Sequence, residues 1–391
     1  MKDCFVNNHI HTTYSFSPYS PAQAVAAAVK AGLKTCGIMD HDSIAGAREF
    51  IAAGRELDIP VTVGLETRVT VKGTFLENIC INNPDQNGCA YVAMHGVPHQ
   101  NIEKLDAVFA KVRAERNKRN RLMVKKLDEY LGQYGISVDF EKDVLPFSLF
   151  DKGGTVTERT VCAVAAKNII DKFGRGAGLI GFLKNILKLD VPEKIEAWLS
   201  DIDSPHYFYD VLGVLKSGLV SVFYIGAEKE CMDINAFTAL ARETGAIAAY
   251  AYLGDITASV TGDKKAQAFE DGYLDELFTF IKDAGFNAVT YMPSRNTPEQ
   301  LKRIRALCKE HGFFEISGED INSSRQSFIC PALERPEFAH LIEATYALIG
   351  HEKAATKNVE NGMFTEKTVK KMPELERRIA YFSKIGKGET E

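Results

Sequence analysis

The chain has 391 residues, of which 45% are hydrophobic and 25% charged, and carries a net charge of −5; this is an ordinary globular composition, long enough for a barrel with an insertion. The charge gives no reason to expect nucleic acid or an anionic membrane as partner, and no apolar run approaches the roughly 20 residues that span a bilayer. Eight cysteines lie scattered without a Cys-x-x-Cys pair, which argues against a structural zinc site and a disulfide framework; with no signal-peptide pattern at the start, a reducing cytoplasm is the expected compartment.

Residues 5–10 read as a first strand running into His9-Ile10-His11. Alternate residues of a strand share a face, so His9 and His11 present two imidazoles side by side with Ile10 turned away. Imidazole is the commonest protein ligand for transition metals, although two polar residues at a strand end can equally be bonded to neighbours. Ser20 and Pro21 form an N-cap and first helical residue, 22–31 an alanine-rich helix, and Gly32 its stop. Residues 35–39 form a short apolar strand ending in Asp40-His41-Asp42. A helix over 43–57 places Ile44, Ala47, Phe50 and Ile51 on one face, and a third strand over 61–65 ends at Glu66.

This βαβαβ order with near-continuous apolar strands predicts a parallel sheet buried on both faces. His9 and His11, then Asp40, His41 and Asp42, then Glu66 fall at three successive strand ends, where parallel α/β folds assemble their active sites. A lone Asp-His-Asp would be a polar turn; as the second of three it points to a metal site.

His9-x-His11-Thr12-x-Tyr14-Ser15, Ala31-Gly32-Leu33, Asp40-His41-Asp42-Ser43 and Gly64-Leu65-Glu66, in that order, resemble the PHP (polymerase and histidinol phosphatase) superfamily. The resemblance implies a distorted seven-stranded (β/α) barrel whose cluster of up to three divalent ions cleaves phosphate esters. It implies that His9, His11 and His41 are metal ligands and that Glu66 bridges ions. Asp40 and Asp42 become the candidate catalytic carboxylates, placed to orient ligands or water. Divalent ions offset the charge of a phosphate ester and lower the pKa of bound water to about 7, giving a metal-bound hydroxide as nucleophile. Mixed imidazole and carboxylate ligands suit Zn, Mn or Fe without singling one out.

Residues 69–71 and 75–81 read as a hairpin or meander. His95 follows another apolar run, 91–94, at a place where the family carries a histidine, and is a further candidate ligand; His99, past a proline, is expected in solvent. From 101 to about 134 the chain is helical and basic, with Arg113, Arg116, Arg119 and Arg121 among its cations. A solvated helix face accounts for them; the sharper reading sends one or two to the substrate phosphate, which arginine binds bidentately. Further helices are expected over 155–173, 177–189, 192–199 and 205–216. Arg159 lies in a segment similar to a family Gly-Arg-x-His-x-Ala motif, whose histidine is replaced by Thr160 or Val161, and is the candidate substrate-binding arginine. Trp198 is expected in a core, and His206 has no evident partner.

Alternation resumes with strands over 219–225, 246–253, 288–291 and 313–317, separated by helices over 234–243, 266–284 and 298–311, and two more helices close the chain. His311, His340 and His351 are read as surface residues. The expected organisation is a barrel from residues 1–100 and 220–391 with a helical insertion, 101–219, as a lid.

Three positions depart from the family pattern. Phe16 or Ser17 stands where the loop after His11 often carries a ligand. Tyr250-Ala251-Tyr252-Leu253-Gly254-Asp255 replaces an Ala-His-Pro, leaving only Tyr252 or Asp255 as donors. The final Asp-x-His is Asp320-x-Asn322, in which Asp320 can still bind metal and Asn322 offers only an amide oxygen. The retained set is His9, His11, His41, Glu66, His95 and Asp320, which suits one or two ions rather than three. The expected function is a metal-dependent phosphoesterase hydrolysing a small phosphorylated metabolite, such as a nucleotide, sugar phosphate or amino-alcohol phosphate. The alternatives are a non-catalytic binding or regulatory protein on the same barrel, motivated by the departures, and an amidohydrolase, which also opens with His-x-His but needs later barrel histidines that are missing here. Substrate, metal and oligomeric state are not readable from the sequence.

Overall fold

The computed structural model describes residues 5–256 and 267–389. Its first half follows the expected alternation. Strand β1 (Val6–Ile10) leads through helix α1 (Pro21–Ala31) to β2 (Thr35–His41), then through α2 (Ala47–Glu56) to β3 (Val61–Thr70). Helix α1 begins at a capping box between Ser20 and Gln23, with Pro21 in its first turn, and ends at Gly32, whose φ of 89° is easily reached only without a side chain.

Strand β4 (Cys89–His95) then runs antiparallel to β3. After the helical region come a two-residue strand β5 (Met232–Asp233), paired with the end of β3, and strands β6 (Ile247–Ala251), β7 (Ala288–Tyr291) and β8 (Phe314–Ser317). The sheet order is β1-β2-β3-β4-β6-β7-β8, parallel except that β4 opposes both neighbours. The seam between β8 and β1 is closed just past β8. Ile321 bridges Ile10, with His11 N donating to Ile321 O at 3.0 Å and Ile321 N to His9 O at 3.1 Å. The result is a nearly closed seven-stranded barrel.

The barrel interior holds Met39, Ala93, Ile247, Ala249, Ala288, Phe314 and Ile316, packed against Ala344, Ala347 and Leu348 of the helix Ala339–Lys357. That helix lies against the start of β3, where Glu352 accepts from Val63 N at 2.7 Å. Its His351, expected at the surface, is 2% exposed, because it packs beside Gly96 in this closed end of the barrel.

Between β4 and β5 the chain is helical. The 31-residue helix α3 (Ile102–Gly132) starts on the barrel, with Ile102, Leu105 and Phe109 in the main core. From Met123 onward it joins a second core shared with helices Glu158–Phe173 and Tyr207–Phe223. The barrel loops contribute Phe16 to this second core; with φ 75°, it turns away from the donors of β1 and stacks on Phe147 at 6.0 Å. Three local expectations are corrected. The apolar run 219–225 is, up to Phe223, the end of helix Tyr207–Phe223. No strand forms over 75–81. The helix expected over 266–284 is Leu274–Asp283, and its expected start at residue 266 lies outside the described residues.

Candidate metal centre

The register of the parallel strands sets the centre. His41, last in β2, pairs with Glu66 of β3, so the two ends lie side by side, and His41 Nδ1 is 3.0 Å from Glu66 Oε2. In β1 the register with β2 slips between Asn7 and Ile10, an irregularity at the end of the strand that carries His9 and leads to His11. His9 and His11 then turn into one space, their Nε2 atoms 3.2 Å apart. Glu66 Oε2 lies 3.8 Å from the first and 4.0 Å from the second. Asp320, just past β8, brings Oδ1 to 3.1 Å from His11 Nε2. Among the described residues, ligand atoms of His9, His11 and Glu66 converge within 4.8 Å of one another.

The donor set fits a divalent ion. Two Zn–N bonds of 2.0–2.1 Å at a tetrahedral angle put the nitrogens roughly 3.3 Å apart, close to the separation of the two Nε2 atoms. The charge states fit as well. Burial pushes the carboxyls of Glu66 and Asp320 up, but the facing imidazoles outweigh it and hold both below the usual range, so both are ionised. His9 is pushed down, mainly by burial, and so presents a neutral nitrogen; for His11 burial is outweighed by Asp320 and Glu66, which raise it, so an arriving ion would displace its proton.

Asp40 does not join the donors. It accepts from Thr12 N at 2.7 Å, Thr12 Oγ1 at 2.6 Å and Ser15 Oγ at 2.5 Å. Ser15, having given its proton to Asp40, can only accept from His11 Nδ1, 3.2 Å away. This makes Nδ1 the donor to Ser15 and orients the ring so that Nε2 faces the centre. Asp42 turns the other way. It accepts from Thr67 Oγ1 at 2.5 Å and from Arg116 Nη1 at 2.6 Å, while Arg113 donates to its carbonyl at 3.0 Å. Burial raises its carboxyl, yet Arg116, Arg68 and Thr67 together hold it below the usual range.

His95 occupies a different level. Because β4 is antiparallel, the strand ends away from the mouth, and His95 lies two residues beyond Ala93, the partner of Glu66. It shares the inward face of Ala93, is 1% exposed, and its Nε2 has no hydrogen-bond partner among the described residues. Burial, with His9 adding to it, pushes its pKa down to about 3. It is thus a neutral imidazole below the cluster of His9, His11 and Glu66. Asn322 donates its amide to Asp320 Oδ1 at 2.7 Å, and its carbonyl accepts from Arg159 Nη1 at 3.3 Å, which brings Arg159 to the rim of the centre. Tyr250 and Tyr252 donate to Glu270 at 3.3 Å and Asp271 at 2.6 Å, and Asp255 accepts from Phe269 N at 2.6 Å. All three are thereby engaged in the loop that follows β6.

The residues hardest to see in the sequence are the cations behind the centre. Arg113, Arg116 and Arg119, expected in solvent, are 4%, 3% and 7% exposed. Arg116 joins Asp42 to Glu158, and Arg119 joins Glu158 at 3.0 Å to Glu230. Arg68, two residues past Glu66, lies 3.7 Å from Glu158 and 3.4 Å from Glu230. Their i, i+3 spacing along one face of α3 was the available signal. The inward Tyr91, opposite Arg68 and with its ring 5.8 Å from that of His41, is a second omission. His206 does have a partner, Ser324 Oγ at 2.9 Å, and His99 bonds Glu352 at 2.8 Å.

The family model described as PHP domain matches residues 7–173. No curated protein matches the sequence. Among solved structures, one provisionally described as a metal-dependent phosphoesterase from Bifidobacterium adolescentis is similar at TM-score 0.54 and 18% identity, covering 84% of this chain and 94% of its own. An amidohydrolase from Chromobacterium violaceum, with sulfate bound and no metal, is similar at TM-score 0.54 and 15% identity, covering 87% of this chain and 96% of its own. At these identities the likeness establishes the fold.

Proposed function

We propose, from the premise that the chain is a PHP-domain protein, that it hydrolyses the phosphate ester of a small metabolite with the help of one or two divalent ions. The domain and the neighbours support a metal-dependent hydrolase in general; the phosphate ester is our finer reading. The metal-dependent part is carried by the facing Nε2 atoms of His9 and His11, 3.2 Å apart, with Glu66 and Asp320 closing on them, and the phosphate ester is favoured by Arg159 at the rim. His9, His11, Glu66 and Asp320 would hold the ion, with His41 beside Glu66 and His95 beneath. A bound divalent ion supplies Lewis acidity, which offsets the charge of a phosphate group and acidifies water.

The chain's own residues do the rest. Asp40, through Ser15, orients the ring of His11. Asp42, clamped by Arg116 and Arg113, fixes the turn after His41. Arg159, bonded to Asn322 O at the rim, is our choice for contact with the phosphate.

The test is phosphate release from a panel of nucleotides, sugar phosphates and amino-alcohol phosphates, with protein loaded with Zn, Mn or Fe. Turnover of one class, lost in His11→Ala, supports the reading. No turnover by metal-loaded protein overturns it; hydrolysis of amide substrates instead would move the chain to amidohydrolase chemistry.

A further inference from the structure

Asp320 is the least buried of the facing donors, its side chain 39% exposed against 2% for His11 and 11% for Glu66. Packing therefore does not fix it. Its main chain is tied to β1 through Ile321, but the carboxylate is aimed by the turn that follows. In that turn Gln326 accepts from the backbone N of Asn322 and Ser323 at 2.7 Å each and donates to Asp320 O at 2.8 Å, while Asn322 donates to Asp320 Oδ1. Residues 320–326 are thus bonded into one unit.

The outer end of that unit is seized by the helical insertion. Arg325 donates through Nε and Nη2 to the two carboxylate oxygens of Asp210, at 2.7 and 2.9 Å, a bidentate pair with a carboxylate whose side chain is 3% exposed. Its guanidinium lies over the ring of Trp198 at 4.1 Å, and the neighbouring Ser324 meets His206. Trp198 is therefore half-buried and stacked rather than a core residue, and it is the only tryptophan in the chain.

We propose that Arg325 is a positioning residue for the metal centre: by locking the turn to Asp210 and Trp198 of the insertion, it holds Asp320 against His11. The proposal rests on reading the site as a metal centre, and it makes the insertion a part of that centre. Because Trp198 stacks on Arg325, its fluorescence reports the state of the lock.

The experiment titrates metal-stripped full-length protein with Zn²⁺, reading Trp198 emission and, separately, zinc affinity by competition with a chromophoric chelator. In the wild type, emission should change saturably with the same midpoint as chelator competition. Arg325→Ala should lose about tenfold in zinc affinity, Arg325→Lys less. Adding Arg325→Ala to Asp320→Asn should cost nothing beyond Asp320→Asn alone, whereas a loss of general packing would add to it. If Arg325→Ala fails to fold with Asp210 left unpaired, Arg325→Ala combined with Asp210→Asn removes that charge and carries the same expectation. A wild type that binds no zinc, and no Mn or Fe in the same competition, overturns the metal reading and this inference together. A wild type that binds zinc while the Arg325 variants bind equally well overturns this inference alone.

Discussion

Asn322 hands its side-chain amide to Asp320 Oδ1 at 2.7 Å, so the residue standing where the sequence resemblance implied a histidine ligand serves the neighbouring carboxylate. An ionised carboxylate only accepts, so the facing atom must be the amide nitrogen. Asn322→Ala should fold normally and bind zinc about ten times more weakly, the usual effect of losing a partner that orients a ligand. Chelator competition measures it; unchanged affinity would show that Asp320 needs no such partner.

The arginines behind the centre should matter for stability more than any surface pair. Arg116→Met leaves Asp42 and Glu158 buried without their bridging charge and should cost about 3–5 kcal/mol in urea unfolding. Arg48→Ala breaks an exposed pair with Glu103 and should cost less than about 1 kcal/mol. Comparable costs for the two would contradict the network.

Glu270 gives stability a pH slope. Burial pushes its carboxyl up to about 8, against about 4.3 unfolded. Between those values the folded chain keeps a proton that the unfolded chain has lost, so this group makes stability fall as pH rises and levels off above about 8. Glu270→Gln keeps a neutral acceptor for Leu253 N. It should be more stable than wild type by about 1–3 kcal/mol near pH 8, with the difference fading toward about pH 5. A constant difference across that range would mean Glu270 is ionised in the fold.

Gly318 sits where β8 meets β1. A Cβ there would lie 2.6 Å from His9 Cβ and 2.8 Å from His9 N. Gly318→Ala should push the seam apart, costing about 1–3 kcal/mol and weakening zinc binding with it. A stable variant with full zinc affinity would show that the seam yields without disturbing His9.

The first half of the barrel was legible because local signals agreed there: the Ser20 and Pro21 start, the Gly32 stop, and polar residues gathered at strand ends. The direction of β4 was not legible, since an apolar run has the same pattern either way, and this is why His95 lies below the other histidines. The run 219–225 is apolar because it ends a helix buried in the second core, and periodicity over so short a stretch does not separate helix from strand. The burial of Arg113, Arg116 and Arg119 depends on Asp42, Glu158 and Glu230, which the fold alone brings together. The same holds for Trp198, whose partner Arg325 is distant in sequence.

Elemental analysis tests most directly whether His9, His11 and Glu66 hold a metal ion. Wild-type protein, stripped and reloaded with Zn, Mn or Fe and freed of excess, should retain about one or two ions per chain, and His11→Ala should lose most of them while remaining folded. Wild-type protein that retains no ion, or His11→Ala protein that retains as many, would contradict the account.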